Sequence, residues 1–356
     1  MRRLLLTGEA TGGIWTYAQT LAAGLRGQAE VTMAVLGAAP GAAQREAARQ
    51  AKLTVLPTGL AQEWTAADSE ELRSVGASLA GLAARLRVDL VHLHSPAFAA
   101  EVPWPVPVLA MAQADVGTWW AAVQGGKLPP DLTWRAQAVG LGLAEADQVV
   151  VPSRAVSRAL TQLYRPGRRI EVVCHGGFPP VLPADMRRED RVLAVCRLWD
   201  AAKNAAVLDR AAAMLEVPLL AAGPLDGPDG SHADPRHLQC PGHLGTAALA
   251  AEYARARVFV SCARYEPSGL AVLEAAQSGL ALALSDIPTH RELWEGAALF
   301  FHPDDAAGCA DAVRRLLARP EGPARRARER AQGYSVQPML QRLCALYDGL
   351  PHRHAA

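Results

Sequence analysis

In this chain of 356 residues, the side chains best placed to do chemistry fall in two short stretches of the second half. One is Glu266-Pro267-Ser268-Gly269-Leu270, which follows an apolar run at 257–262 and leads into a helix-forming segment carrying Glu274. Pro267 lacks an N–H and suits a turn or helix entry, so Ser268, Gly269 and Leu270 would present bare backbone N–H groups at the helix start. Amides there, at the positive end of a helix dipole, form a cradle for a diphosphate. Glu266 at its mouth and Glu274 about one turn into the helix can each accept hydrogen bonds from a pair of sugar hydroxyls, one pair on a transferred sugar and one on a ribose. The other stretch, Arg197-Leu198-Trp199-Asp200-Ala201-Ala202-Lys203-Asn204, sets two cations six residues apart after an apolar run at 192–196. There they could neutralise a departing diphosphate without a metal, although a surface ion pair is the commoner fate of Arg and Lys. Lys203 stands against the composition of the chain, since only residues 52, 127 and 203 among its 36 basic residues are lysine.

Something must hold these stretches in place, and the pattern of apolar runs says what. Short Val- and Leu-rich runs at 3–7, 31–36, 53–56, 89–93, 106–111, 148–151 and 171–174 alternate with longer Ala-rich segments such as 16–25 and 69–86. Runs that are apolar throughout predict parallel strands buried on both faces, and strand alternating with helix predicts a doubly wound α/β sheet. The alternation breaks at Phe178-Pro179-Pro180-Val181-Leu182-Pro183 and a charged run at 187–191, which read as a linker. It restarts with strands at 192–196, 218–222, 258–262, 281–285 and 299–301 and helices at 205–215, 246–256, 271–279 and 306–318, and a last helix is expected at 338–350. The expectation is two Rossmann-like domains, 1–183 and 184–334, facing each other across a ligand cleft, with a terminal helix over 335–351. Sheets of this kind present their binding crevice at the carboxyl ends of the strands. The Arg-rich stretch at 325–330 reads as a solvated helix face.

Composition narrows the class. Half the residues are hydrophobic and 20% are charged, enough apolar material for two cores and the reverse of a disordered chain. With 36 basic and 35 acidic residues, the net charge of +1 removes the electrostatic case for nucleic acid. No uncharged apolar run approaches the roughly 18 residues of a membrane span. The first apolar run is shorter than a secretory signal and reads as a strand. Cysteines at 174, 196, 240, 262, 309 and 344 stand singly, as reduced thiols do. A cytoplasmic protein is expected, with peripheral membrane association left open.

The obvious dinucleotide fingerprint fails. The first glycine loop, Gly8-Glu9-Ala10-Thr11-Gly12-Gly13, does not fit G-x-G-x-x-G, and no acid follows the second strand at Gly37-Ala38-Ala39-Pro40. Taken together, Gly12-Gly13-Ile14-Trp15-Thr16-Tyr17-Ala18, Arg197-Leu198 with Lys203-Asn204, and Glu266-Pro267-Ser268-Gly269-Leu270 with Glu274 resemble the family-4 glycosyltransferases of the GT-B fold. Asp115-Val116-Gly117-Thr118-Trp119-Trp120, Ala146-Asp147-Gln148-Val149-Val150-Val151-Pro152-Ser153, and residues 279–288 followed by Glu292 extend the likeness over nearly the whole chain.

The resemblance implies a retaining, metal-free hexosyltransferase that moves a sugar from a UDP-, GDP- or ADP-linked donor to a glycan, lipid-linked or small-molecule acceptor. It implies that Arg197 and Lys203 hold the donor diphosphate, with Gly12, Gly13 and the amides of Ser268, Gly269 and Leu270. Glu266 would bind the transferred sugar and Glu274 the ribose. Gly223 and His243 are further donor-side candidates, and His94, Gln113, Asp115 and Trp119 acceptor-side ones.

Where relatives typically carry His followed by Ser or Asp, this chain has Gln113-Ala114, and Gln cannot share a proton at neutral pH. That keeps a second reading open, a member that binds sugar nucleotide or glycan without turnover. A sugar-nucleotide epimerase on the same fold is a third. His92 and His94 share a strand face and could be metal ligands, but no further ligand is recognisable, so no metal is expected. Cys240-Pro241-Gly242-His243 is half a zinc motif without its other half. Trp119-Trp120 could be a sugar platform or buried packing, and His352 and His354 fall in the terminal tail.

Overall fold

The computed structural model describes residues 1–10 and 12–351; Thr11 of the first glycine loop and the tail histidines 352 and 354 lie outside them. The chain divides into two compact units, one formed by Met1–Gly176 together with the segment from Val336, the other by Gly177–Ser335. The first unit thus ends just before the proline-rich segment.

In chain order the first unit runs β1 (Arg2–Glu9), α1 (Gly12–Gly24), β2 (Ala29–Leu36), α2 (Ala42–Gln50), β3 (Leu53–Pro57), α3 (Ser69–Leu86), β4 (Leu90–Leu93), β5 (Val108–Met111), α4 (Val116–Val123), α5 (Pro130–Glu145), β6 (Gln148–Val151), α6 (Arg154–Tyr164) and β7 (Glu171–Val172). The strands form a seven-stranded sheet in the order β3-β2-β1-β4-β5-β6-β7, and each neighbouring pair is parallel. Every residue of β4 and β5 is buried, as apolar runs covered on both faces must be.

The second unit contains β8 (Val192–Val195), α7 (Ala205–Ala212), β9 (Leu219–Ala222), α8 (Thr246–Arg255), β10 (Val258–Ser261), α9 (Leu270–Gln277), β11 (Ala281–Ser285), α10 (Pro288–Trp294), β12 (Ala298–Phe301), α11 (Ala306–Ala318) and α12 (Glu321–Gln332). Its parallel five-stranded sheet has the order β12-β11-β10-β8-β9. Gln239 pairs with β9 at one edge, so the loop holding Cys240 and His243 starts from the sheet itself.

The last helix, α13 (Val336–Asp348), buries Val336, Met339, Leu340, Leu343 and Tyr347, one stripe at helical spacing. That stripe joins the core cluster of α1 and β1 in the first unit. Gly24 makes room for it, since a Cβ there would stand 2.5 Å from Leu340 Cδ1.

The Arg-rich stretch is only in part a solvated face. Arg330 of α12 donates from Nε to the Leu293 carbonyl at 2.8 Å, tying down the end of α10. The six cysteines are free thiols. Among the described residues no helix is long and apolar enough to cross a membrane.

Candidate active site

In the second sheet the chain moves outward in one direction from β8 to β9 and in the other from β10 through β11 to β12. The strand order therefore reverses between β8 and β10, the position where open α/β sheets bind ligands beyond the carboxyl ends of their strands. Lys203 follows β8 and Glu266 follows β10, so the topology alone brings the two sequence stretches to one place.

Backbone bonds lock the two loops together. The Ala202 carbonyl accepts from the N–H groups of Arg264 at 2.8 Å and Tyr265 at 3.4 Å. Asp200 caps the short turn Ala201–Lys203 by accepting from the Ala202 N–H at 2.9 Å. Asn204 sits at φ 58°, in the left-handed region that Asn tolerates better than most residues. From there its Nδ2 donates to the carbonyls of Cys262 at 3.2 Å and Pro303 at 2.8 Å. Nothing in sequence spacing announces that clamp.

On this frame Lys203 Nζ stands 2.8 Å from Glu266 Oε2, with 14% and 20% of the two side chains exposed. Burial alone would raise the Glu266 carboxyl. The Lys203 charge and hydrogen bond, the Gly269 N–H and the His290 ring outweigh it and hold the group at about 2.

The amides are not bare as the sequence suggests. Glu266 Oε1 accepts from Gly269 N at 2.9 Å and from Ser268 N at 3.4 Å, because a carboxylate three residues before the helix start reaches back over its own N-terminus. Gly269, at φ 67°, opens α9 and gives the turn a conformation that side chains resist.

Arg197 is likewise engaged. Its Nη2 lies 2.8 Å from Asp200 Oδ2, and its guanidinium lies 5.4 Å from the centre of the Trp199 ring. Arg197, Asp200, Lys203 and Glu266 all act on one half-buried thiol, Cys196. Burial pushes that thiol up to about 12, with the two cations pulling down and the two carboxylates pushing up. A small cavity beneath the pair is lined by Cys196, Lys203, Cys262, Glu266, Ala271 and Val272.

The other donor-side candidates have plain local settings. Glu274 Oε2 accepts from the Tyr253 hydroxyl at 2.9 Å, and burial raises its pKa against that bond. Gly223, at φ 146°, ends β9 where a Cβ would fall 1.7 Å from the Cys196 carbonyl oxygen, so a bare backbone is required for the two strand ends to pass. His243 is exposed on its loop. Gly12 opens α1 at φ 63° with Gly13 beside it, both exposed.

The acceptor-side candidates lie in the first unit, whose strand order reverses between β1 and β4. His94, at the end of β4, is buried with both ring nitrogens lacking a hydrogen-bond partner. Its ring stacks on His92 with centroids 5.0 Å apart and meets Tyr17 edge-on at 5.2 Å. Tyr17 also packs on His175 at 4.6 Å, while His92 Nδ1 bonds the Tyr347 hydroxyl at 2.7 Å. Burial lowers the pKa of His92 and brings that of His94 to about 4, so both imidazoles are neutral at pH 7. Among the described residues, no group of three or more His, Cys, Asp or Glu side chains is arranged to hold a metal.

Gln113 is buried and donates from Nε2 to the Met111 thioether at 3.3 Å, the same sulfur that His175 Nε2 approaches at 3.3 Å. Asp115 caps α4, accepting from Gly117 N at 2.9 Å and Thr118 N at 3.1 Å as well as from the hydroxyls of Thr118 and Tyr164. That carboxylate is occupied by its own helix and by Tyr164 of α6. Trp119 is half-buried, its ring 6.3 Å from that of Trp120.

Sequence reasoning missed several groups. Glu63, in the loop after β3, accepts from the Ser95 hydroxyl. Burial, offset by Ser95 and aided by Asp115, pushes its carboxyl up to about 7. Arg135 holds that loop by donating to the carbonyls of Glu63 and Ala66. In the second unit, His290 of α10 is fully buried close to Glu266 and Lys203. A seven-residue helix that also carries Arg291 and Glu292 gives no cue that its histidine is the buried one.

Two parallel α/β units, the second with a cation–carboxylate pair at its switch point, define the class seen in GT-B glycosyltransferases. Residues 11–176 match the family model described as Glycosyltransferase Family 4, and residues 189–319 match Glycosyl transferases group 1. The chain belongs to the glycosyltransferases that join these two domains on the GT-B fold. It is 28% identical over 269 residues to the glycogen synthase of Mycobacterium tuberculosis, a match covering 69% of this chain and 64% of that enzyme. The match thus spans less than two thirds of the relative's length. The sucrose-phosphate synthase of Thermosynechococcus elongatus superposes with a TM-score of 0.79 at 21% identity, covering 98% of this chain and 99% of that one. HepE of Anabaena, solved with UDP and glucose, superposes with a TM-score of 0.72 at 17% identity over 98% and 100% of the two chains.

Proposed function

We propose that the chain transfers a sugar from a nucleoside-diphosphate donor to a hydroxyl acceptor, with retention at the anomeric carbon and without a metal. The Lys203–Glu266 pair at the head of α9 is the observation that carries this reading. A donor diphosphate arriving at that helix start exchanges partners with the carboxylate. Its oxygens take the Lys203 ammonium and the amide protons of Ser268 and Gly269, and Glu266 is released toward hydroxyls of the sugar. Arg197 exchanges Asp200 for phosphate in the same way. When the anomeric bond breaks, the charge that builds on the leaving diphosphate falls among cations and a helix dipole already in place, which is where electrostatic catalysis gains most. Retention follows if the acceptor attacks the face the diphosphate leaves, handing its proton to the departing phosphate oxygen.

The acceptor side is assigned to the first unit, and the donor nucleotide is UDP, GDP or ADP. HepE, a relative in fold, was solved with UDP and glucose, which favours UDP among the three.

The direct test incubates the protein with UDP-, GDP- and ADP-sugars and with glycan, lipid-linked and small-molecule acceptors in EDTA, following nucleoside diphosphate release and the anomeric proton by NMR. Acceptor-dependent release and an α-product from an α-donor are expected. An inverted product, or activity that appears only on adding a divalent cation, contradicts the mechanism. One observation favours a second reading, a binding member without turnover: Gln113 bonds a thioether, and neither group can take a proton from an acceptor at neutral pH. That reading expects donor binding with no release in any arm.

A further inference from the structure

Tyr253 carries a buried hydroxyl that the mechanism above leaves without a task. It lies near the end of α8, with 1% of the residue exposed. Its hydroxyl stands 2.9 Å from Glu274 Oε2 and 3.4 Å from the Ala271 carbonyl oxygen. A phenol has one proton to give, and the carboxylate oxygen is the nearer acceptor. Burial keeps the phenol from ionising, so the hydroxyl stays a donor. Arg188 fixes the two helices that carry the pair. Its Nη1 donates to the carbonyls of Tyr253, at 2.7 Å, and of Ala256 just past α8, and its Nη2 donates to that of Ser278 just past α9.

The other end of the carboxylate is open. On α9, Val272, Leu273, Ala275 and Ala276 are buried, while Ala271, Glu274 and Gln277 line the accessible face. Ala271 borders the cavity that Lys203 and Glu266 also border, and Glu274 is the next residue along that face. Glu274 Oε1 has no hydrogen-bond partner among the described residues and is not closed off from solvent. One oxygen is thus pinned by a buried donor and the other is presented outward.

Helix geometry says what that oxygen meets. Side chains on a helix lean toward its N-terminus, and the rise from Leu270 to Glu274 is about 6 Å. A diphosphate at the head of α9 therefore brings its next groups within reach of Glu274. Beyond the phosphates a nucleotide donor offers the transferred sugar on one side and the ribose on the other, and Glu266 serves the sugar in the reading above. A carboxylate oxygen accepts from O–H donors and repels phosphate, so the groups left for Glu274 are the ribose hydroxyls.

We propose that Tyr253 is a positioning residue of the donor site: by holding Oε2 of Glu274 it aims Oε1 at the ribose hydroxyls, so that the site selects nucleotides that carry them. Tyr253 itself touches no ligand. This inference rests on the donor-site reading above, and the experiment separates the two.

The test is titration calorimetry with UDP, GDP and ADP, followed by the 2′,3′-dideoxy analogue of whichever binds. The wild type should bind the ribonucleotide about tenfold more tightly than the dideoxy analogue. Tyr253→Phe keeps the ring and deletes the hydroxyl. Its ribonucleotide affinity should fall about three- to tenfold while its affinity for the dideoxy analogue stays within about twofold of wild type, so the ratio narrows. Glu274→Gln should narrow the ratio at least as far, and adding Tyr253→Phe to it should change the ratio no further, as expected of two groups that act as one. Equal weakening of both nucleotides by Tyr253→Phe shows a hydroxyl that only supports the fold and overturns the proposal. So does a ratio that Tyr253→Phe leaves intact. A wild type that binds ribonucleotide and dideoxy analogue alike overturns it as well, although the donor site then stands. A wild type that binds none of the three nucleoside diphosphates sinks the donor-site reading itself.

Discussion

At the switch point of the second sheet, the charges of Arg197, Asp200, Lys203 and Glu266 all act on one half-buried thiol, Cys196. Beside the switch point of the first, three imidazoles and two tyrosines pack face and edge, with His92 and His94 held neutral. The same topology thus supports two kinds of site. The charged one is paired internally, 2.8 Å across each ion pair, so on the proposed reading an anion would enter it by exchanging partners and not by filling an empty socket. The Lys203–Glu266 pair is already largely desolvated and fixed, which would suit it to a leaving group that gains charge. The neutral cluster carries hydrogen-bonding edges and no net field, a composition suited to hydroxyls. What the contrast teaches is that the crossover pattern sets where polar side chains gather, whereas the side chains placed there set the charge of each region.

Removing one member of the charged pair should have the largest effect. In Lys203→Ala the Glu266 carboxylate keeps its burial and loses its cation. Turnover is expected to drop about 10²–10³-fold, with the Glu266 carboxyl rising from about 2 toward its ordinary value. Steady-state kinetics and a carboxyl titration by NMR check both.

Acid should strike the two regions at different pH. His94 has a folded pKa near 4 against an ordinary value near 6.5. The unfolded chain therefore takes up a proton first, and stability falls as pH drops from about 6.5 to 4, by about 3 kcal/mol for this group. Glu266 has the opposite history. Its carboxyl is depressed, so its contribution is complete above about pH 4.5 and disappears only as pH falls toward 2. Unfolding free energy followed between pH 6.5 and 4 should fall along a slope that His94→Phe flattens, while Glu266→Gln should alter the pH dependence only below about pH 4.5. The reverse assignment of the two pH ranges would undo the contrast.

Smaller effects sharpen it further. Tyr347→Phe leaves His92 Nδ1 buried without its 2.7 Å partner, an expected loss of about 2 kcal/mol, measurable by denaturant unfolding. Asp115→Ala removes the α4 cap and the partner of the Tyr164 hydroxyl, an expected loss of about 2 kcal/mol, with nucleotide binding unchanged because that carboxylate is engaged by its own helix and by Tyr164.

The strands were legible because uninterrupted Val and Leu runs permit little else in an alternating α/β pattern, and each of the twelve appears within a few residues of its expected place. Lys203 and Glu266 were legible because strand ends carry the chemistry of this architecture. Glu266's hold on its own amides was not, since spacing reveals which groups are near and not which are already paired. The imidazole cluster was hidden more deeply. Tyr17, His94, His175 and Tyr347 are spread from the first helix to the last, and only three-dimensional packing assembles them. Asp115 is ambiguous in sequence for the opposite reason, because a capping aspartate and a ligand-binding one look alike before a helix.

The central claim is that an anionic diphosphate takes over the Lys203–Glu266 pair. Calorimetric titration of UDP, GDP and ADP into the wild-type protein and Lys203→Ala tests it most directly. One nucleotide should bind the wild type at micromolar concentration, with a sharp weakening in the variant. Binding of equal strength to both proteins would contradict it.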